Sequence, residues 1–225
     1  MTAKSAESVE ALLARAAILF WDFDGVIKES LTVKAQAFEQ LFLPYGRALA
    51  DRVRQHHDAH GGVSRYQKIP LYLGWASEPA TPALVQEYCE RFSGLVFQAV
   101  IDAAWVPGVR EYLGAHHTRQ DFVLVTATPQ DEIQQIVNAS GIAACFREIH
   151  GAPTAKGAAV RDVLDRLHYS PGQALFVGDA ETDLAAATEN HVPFVLRCTD
   201  TNQELQARFE GSSFARLDVA DNRGQ

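Results

Sequence analysis

The feature that most constrains the fold of this chain is a set of four short apolar runs, residues 18–21, 122–125, 174–177 and 193–196. The first three break at their C-terminal ends into Asp22, Thr126 and Gly178-Asp179. Runs of this length, rich in β-branched and aromatic residues and bounded by polar punctuation, predict buried strands. Helical patterns alternate with them. One opens at Pro129 with Asp131 and Glu132 in its first turn, carries Ile133, Ile136 and Val137 at helical spacing, and stops before Gly141. A second is predicted over 157–167, with Val160, Val163, Leu164 and Leu167 on one stripe, and a third over 182–189. Strands alternating with helices of this length predict an α/β fold, a doubly wound (Rossmann-like) parallel sheet covered on both faces.

One interval breaks the rhythm. Between Ser30 and Pro107 no apolar strand occurs, whereas a crossover between parallel strands needs only about a dozen residues. The interval reads as helices over 31–42, 48–57, 64–73 and 83–92, with breakers at Pro44, Gly61-Gly62 and Pro79. An inserted α-helical cap domain standing over the strand ends accounts for it. The expected division is core over 1–32, helical cap over 33–105 and core again over 106–225. No internal repeat is present, and the stretch after Thr199 carries no readable pattern.

Composition narrows the ligands. With 47% hydrophobic and 21% charged residues the chain has globular composition, and 28 acidic against 20 basic residues leave a formal net charge of −8. That balance argues against nucleic acid or an anionic membrane as a partner, since both require a basic face. Cys89, Cys145 and Cys198 lie far apart and suggest neither a thiolate metal cage nor a disulfide framework. With no membrane-length apolar run and no signal-peptide pattern at the N-terminus, a cytoplasmic location is expected. Oligomeric state is left open.

The chemistry concentrates at the strand ends. Asp22-Phe23-Asp24-Gly25 places two carboxylates two residues apart where ligands of open α/β sheets bind. Taken alone, such a pair reads as turn residues. Gly178-Asp179-Ala180-Glu181-Thr182-Asp183, after another apolar strand, brings further acids to the same edge. Carboxylates clustered there would repel by about 4 kcal/mol per pair at 4 Å and an effective dielectric near 20, and a hard divalent cation such as Mg²⁺ removes that repulsion. One carboxylate then suits nucleophilic attack and another proton transfer. Thr126, with the adjoining Ala127, stands before a helix N-terminus, where an oxyanion is stabilised. Lys156 sits immediately before a predicted helix start, where the macrodipole disfavours a cation and an anionic partner would compensate.

Asp22-Phe23-Asp24-Gly25-Val26-Ile27, Thr126 after Val123-Leu124-Val125, Lys156, and Gly178-Asp179 with Asp183 resemble, in order, the four motifs of the haloacid dehalogenase superfamily over about residues 18–197. Pro107-Gly108-Val109 resembles the return from cap to core in its phosphoglycolate phosphatase-like and β-phosphoglucomutase-like branch. The resemblance implies a Mg²⁺-dependent phosphatase acting on a small phosphorylated molecule. Asp22 would be phosphoryl acceptor and metal ligand, and Asp24 general acid/base, offering its carbonyl to the metal. Thr126 and Lys156 would hold phosphate oxygens, Asp179 would bind the metal, and Asp183 would orient the metal's waters or Lys156. Phosphosugar mutase and haloacid dehalogenase are the rival activities. Lys34 stands where the mutase has a hinge histidine, and Asp24 is superfluous to halide displacement. A non-catalytic binding protein fits the intact acid set poorly.

In the cap, Gly62-Val63-Ser64-Arg65 resembles the mutase's substrate-specificity loop, which implies that Gly62 allows close approach and that Arg65 reads a distal anion. His56, His57 and His60 lack an obvious further ligand and read better as helix C-terminal or substrate-facing groups than as a metal site. Trp21, Trp75 and Trp105 read as packing residues.

Overall fold

The computed structural model describes residues 8–218. After a short helix α1 (Val9–Arg15), strand β1 (Ile18–Trp21) leads into four helices, α2 (Leu31–Phe42), α3 (Arg47–Ala59), α4 (Arg65–Trp75) and α5 (Pro82–Asp102). The chain continues through α6 (Val109–His116), β2 (Asp121–Pro129), α7 (Gln130–Ala139), β3 (Glu148–Ala152), α8 (Lys156–Leu167), β4 (Ala174–Gly178), α9 (Glu181–Glu189), β5 (Phe194–Arg197), α10 (Gln203–Arg208) and β6 (Ser213–Phe214).

The sheet is parallel throughout, in the order β3-β2-β1-β4-β5-β6. Both faces are covered, which is why its strands read as unbroken apolar runs rather than alternating ones. In β1, Leu19 and Trp21 point into a large cluster with residues of α6 and α7, while Ile18 and Phe20 point into another with residues of α8 and α9. The order reverses at β1, with β2 and β4 on either side, so the crevice beyond the carboxyl ends of these three strands is where such a sheet binds its ligand.

The strands at 18–21, 174–177 and 193–196 are observed within one residue. Strand β2 runs on to Pro129, past Thr126, because its last residue pairs with Ala152 of β3 after a register shift. Thr126 therefore lies within the strand, and Pro129 caps α7 rather than opening it. β3 and β6 gave no apolar signal because they are the sheet's two edges; β3 carries Glu148 and His150, and β6 has only two residues. Lys156 is the first residue of α8, which begins one position before the expected start at 157. Helix α5 extends ten residues beyond the expected 83–92, since Val96 and Val100 prolong the buried stripe of Phe92.

Two segments carry the chain between sheet and inserted helices, and they lie side by side. Glu29 N–H donates to Ala104 O at 2.9 Å and Val106 N–H to Ile27 O at 3.0 Å. Buried Lys28 fastens the crossing by donating to Ile101 O and Ala103 O, at 2.9 and 2.6 Å, at the C-terminal end of α5, where the helix dipole favours a cation. These segments fall near residues 32 and 106, and we propose them as the divisions between inserted cap and core. The outer core limits, 1 and 225, lie outside the described residues.

Candidate active site

Asp22 extends β1, its N–H donating to Val177 O of β4 at 3.0 Å, and the chain then turns sharply through Gly25. Gly25 has φ +77°, and a Cβ there would lie 2.5 Å from Asp179 Oδ2. Only glycine lets the loop after β1 rest against the acid that follows β4. Three buried carboxylates thereby converge, with oxygens of Asp22, Asp179 and Asp183 all within 4.8 Å of one another.

Lys156 enters from the start of α8 and bridges two of them. Its Nζ lies 2.6 Å from Asp183 Oδ1 and 3.0 Å from Asp22 Oδ1. The Asp22 contact lacks hydrogen-bond geometry, and that oxygen has no other partner. The second oxygen of Asp183 accepts from Asp179 N–H at 3.2 Å and Ala180 N–H at 3.1 Å. Asp183 thus holds Lys156 and the loop after β4 in place while remaining part of the acidic cluster. The charge balance is uneven, with three carboxylates facing one ammonium. Burial pushes the Asp22 carboxyl up to about 7 despite Lys156, with Asp183 and Asp24 adding to the rise. Burial, then the charge of Asp22, raises Asp179 well above the usual carboxylate range. Lys156 is held protonated, since Asp183 and Asp22 outweigh the effect of its burial. A donor set of hard oxygens with excess negative charge fits a small divalent cation such as Mg²⁺.

Asp24 points elsewhere. Its carboxylate accepts from Ser30 Oγ at 2.6 Å and Thr128 Oγ1 at 3.2 Å and pairs with Lys34 of α2, which also donates to Thr128 Oγ1. Burial alone would raise its pKa, but Lys34 and the hydrogen bonds win and keep it ionised. Only the Asp24 main chain is left for the metal role, since its carboxylate is outside the acidic cluster. Thr126 is buried, its hydroxyl accepting from Thr128 N–H at 3.2 Å, and Ala127 is half-buried beside it.

Asp22, Asp24, Thr126, Ala127, Lys156 and Asp179 line a cavity of about 60 Å³. Its other wall is built from the inserted helices and includes Lys34, Gly62, Arg65 and Lys68. Gly62 lies so close to the core that a Cβ would sit 2.0 Å from Thr182 Oγ1, at φ +75°. Its role is contact between insert and sheet edge.

Arg65 departs from expectation. Its guanidinium forms a buried fork with Glu132 of α7, at 2.8 and 2.5 Å, and also donates to Ser93. It is neither a surface charge nor an open anion receptor, because its donors are taken by an internal carboxylate. The histidines are engaged with protein groups: His56 bonds Tyr72 Oη at 3.0 Å, His60 bonds His56 O at 2.8 Å, and His57 meets Lys68 at 2.9 Å. Sequence reasoning missed Ser30, Thr128, Glu132 and Lys68, and it recorded Lys34 only as a mismatch. Lys68 had one available signal, its place three residues after Arg65 on the same helical face.

The family model for haloacid dehalogenase-like hydrolases matches residues 16–190, a span that contains every core residue of this site. The chain belongs to that family. A phosphoglycolate phosphatase of Pseudomonas putida is 25% identical over 176 residues, covering 76% of this chain and 65% of the relative's own length. The fold is shared with a predicted phosphoglycolate phosphatase from Haemophilus somnus, at TM-score 0.69 and 20% identity over 88% of this chain and 94% of that one. It is shared too with CbbY from Rhodobacter sphaeroides, crystallised with xylulose-1,5-bisphosphate, at TM-score 0.71 and 15% identity over 89% and 94% of the two chains.

Proposed function

We propose that this family member is a Mg²⁺-dependent phosphatase that hydrolyses a small phosphomonoester, such as a phosphosugar or sugar acid phosphate, through a phospho-aspartate on Asp22. The observation that carries the reading is the meeting of Asp22, Asp179, Asp183 and Lys156 in one buried cluster, with Asp24 two residues from the nucleophile. The phosphoglycolate phosphatase relative supports the substrate class.

Asp22 and Asp179, with the main-chain carbonyl of Asp24, would hold the cation. When bound, it neutralises negative charge on the phosphoryl group and the acids around it. Lys156 holds phosphate oxygens and keeps Asp22 close to them. An Asp22 oxygen attacks phosphorus while the ester P–O bond breaks, and the departing oxygen takes its proton from the minority of Asp24 that has bound one from solvent, since Lys34 favours the ionised form in the free protein. The Asp24 carboxylate then removes a proton from water, whose oxygen attacks the phosphorus of phospho-Asp22. Inorganic phosphate leaves and Asp22 is restored. In the structure Asp24 is in the ionised form that this second half requires. Thr126 and Ala127 line the phosphate side of the cavity, and the close seat of Gly62 on Thr182 helps exclude bulk water. The three cysteines are free, which fits a cytoplasmic, reducing location.

The test is phosphate release across a panel of phosphorylated metabolites with Mg²⁺, with Asp22→Asn as control. Turnover of at least one ester, lost in the variant, is expected. Halide release from a 2-haloacid in place of phosphate release would overturn the reading.

A further inference from the structure

Four cations line the cavity: Lys34, Arg65, Lys68 and Lys156. Three have carboxylate partners: Asp24 for Lys34, Glu132 for Arg65, and Asp22 with Asp183 for Lys156. Lys68 has none. Among the described residues no carboxylate lies within ion-pair distance of its Nζ, and its one hydrogen-bond partner is His57 Nδ1 at 2.9 Å. His57 brings no negative charge, and its burial beside Lys68 and Lys34 keeps it neutral. Yet Lys68 is only 2% exposed. A buried ammonium without a carboxylate partner costs stability, and within the fold only the Phe38 ring, 5.9 Å from Nζ, and the more distant charge of Asp58 offset part of that cost. Burial and the nearby Lys34 push Lys68 down to about 7, while Asp58 opposes them only weakly.

Position adds to the charge argument. Lys68 lies on α4, one helical turn after Arg65, and the insert contributes it to the same cavity that Asp22 lines from the core. Of the two cations on this helix face, Arg65 is neutralised from within and Lys68 is not. We propose that Lys68 is the specificity-determining residue of the site, binding a second anionic group, carboxylate or phosphate, at the end of the substrate away from the transferred phosphoryl. The inference rests on the phosphatase reading above and adds to it the chemistry of the substrate's far end. At about 60 Å³ the cavity favours a short molecule, so the two anionic groups are separated by few atoms.

Three probes separate the possibilities, each assayed with the Mg²⁺-loaded protein: ethyl phosphate, phosphoglycolate, which is the same skeleton ending in a carboxylate, and propane-1,3-diol bisphosphate. We expect the wild type to favour one or both of the doubly anionic esters over ethyl phosphate, and the preferred one identifies the second group. Lys68→Met should lower kcat/KM for that ester by about 10- to 100-fold, mainly through KM, and at least ten times more than for ethyl phosphate. Lys68→Arg, which keeps the charge, should recover part of the loss. Because Lys68→Met removes an unpaired buried charge, its unfolding temperature without substrate should rise by about 2–4 °C. Equal preference for all three esters, equal losses on all three in Lys68→Met, or a lowered unfolding temperature would overturn the assignment while leaving the phosphatase reading intact. No turnover of any ester by the wild type would overturn both.

Discussion

The sheet edge and the inserted helices meet at one cavity, but they handle charge in opposite ways. On the sheet side, acids outnumber bases: Asp22, Asp179 and Asp183 crowd around Lys156, and two of the three carboxyls are pushed up by burial and one another. On the insert side, cations predominate, and Lys34 and Arg65 reach across to pair with core acids Asp24 and Glu132. The core thus has a deficit of positive charge that a divalent cation would fill before an anionic phosphoryl group could enter. The insert has one cation in surplus, Lys68. On the proposed reading, chemistry belongs to the sheet edge and selectivity to Lys68 of the insert, and each can be perturbed separately.

The largest expected effect lies on the sheet side. Asp22→Asn should lower phosphate release by about 10⁴-fold or more, as loss of a covalent nucleophile does elsewhere. Its unfolding temperature should not fall, because a crowded buried carboxylate is replaced by a neutral isostere. A comparable loss from a charge-removing change at Lys68, measured on ethyl phosphate, would erase the division between the two walls. Next in size is metal removal. Excess chelator should silence turnover, Mg²⁺ should restore it, and Ca²⁺ should do so poorly because its coordination is longer and looser. Full activity in chelator would break the sheet-side half of the comparison.

The same division explains what the sequence made legible. Asp22, Asp24, Thr126 and Asp179 announce themselves because each sits within or just beyond an apolar strand, and the parallel topology brings such positions to one edge regardless of sequence distance. Lys156 and Asp183 were readable from their places at helix starts. The insert offers no such frame. Arg65 was singled out by a four-residue likeness, but its partner Glu132 is 67 positions away and looks like an ordinary first-turn acid of α7. Lys68 lies in a helix of mixed polarity, and apart from its spacing from Arg65 its burial, a tertiary property, is what distinguishes it from a surface lysine. β3 was illegible for the converse reason, since an edge strand needs no apolar run.

On the insert side, Arg65→Met and Glu132→Gln should each destabilise the protein by about 3 kcal/mol in denaturant unfolding, because each leaves a buried charge without its partner. Replacing both together should recover much of the loss. Additive losses would mean that the two residues do not act as a pair. Gly62→Ala should have a smaller effect, about a tenfold loss in kcat/KM with a change in stability near 1 kcal/mol, since its new Cβ would strike Thr182 and hold the insert off the core. Unchanged kinetics would show that this contact is dispensable. The smallest effect concerns pH. Lys68 titrates near 7 when folded and near 10.5 when unfolded, so between those values the unfolded chain binds more protons and the Lys68 contribution to stability rises with pH. The stability advantage of Lys68→Met over wild type should therefore shrink from about pH 7 toward pH 10. Titratable groups around it, Lys34 of α2 and His57 and Asp58 of α3, are common to both proteins, so the difference isolates Lys68. A constant difference would place its folded pKa in the ordinary lysine range.

The most direct test of the division is to find where the phosphoryl group goes. The Mg²⁺-loaded wild type should be mixed with a turned-over phosphomonoester, quenched in acid during the first turnovers and digested for mass spectrometry. We expect the mass of one phosphoryl group on the peptide carrying Asp22, absent from Asp22→Asn and unaffected in position by Lys68→Met. Steady phosphate release with Asp22 unmodified, or the phosphoryl group on a residue of the insert, would contradict the account.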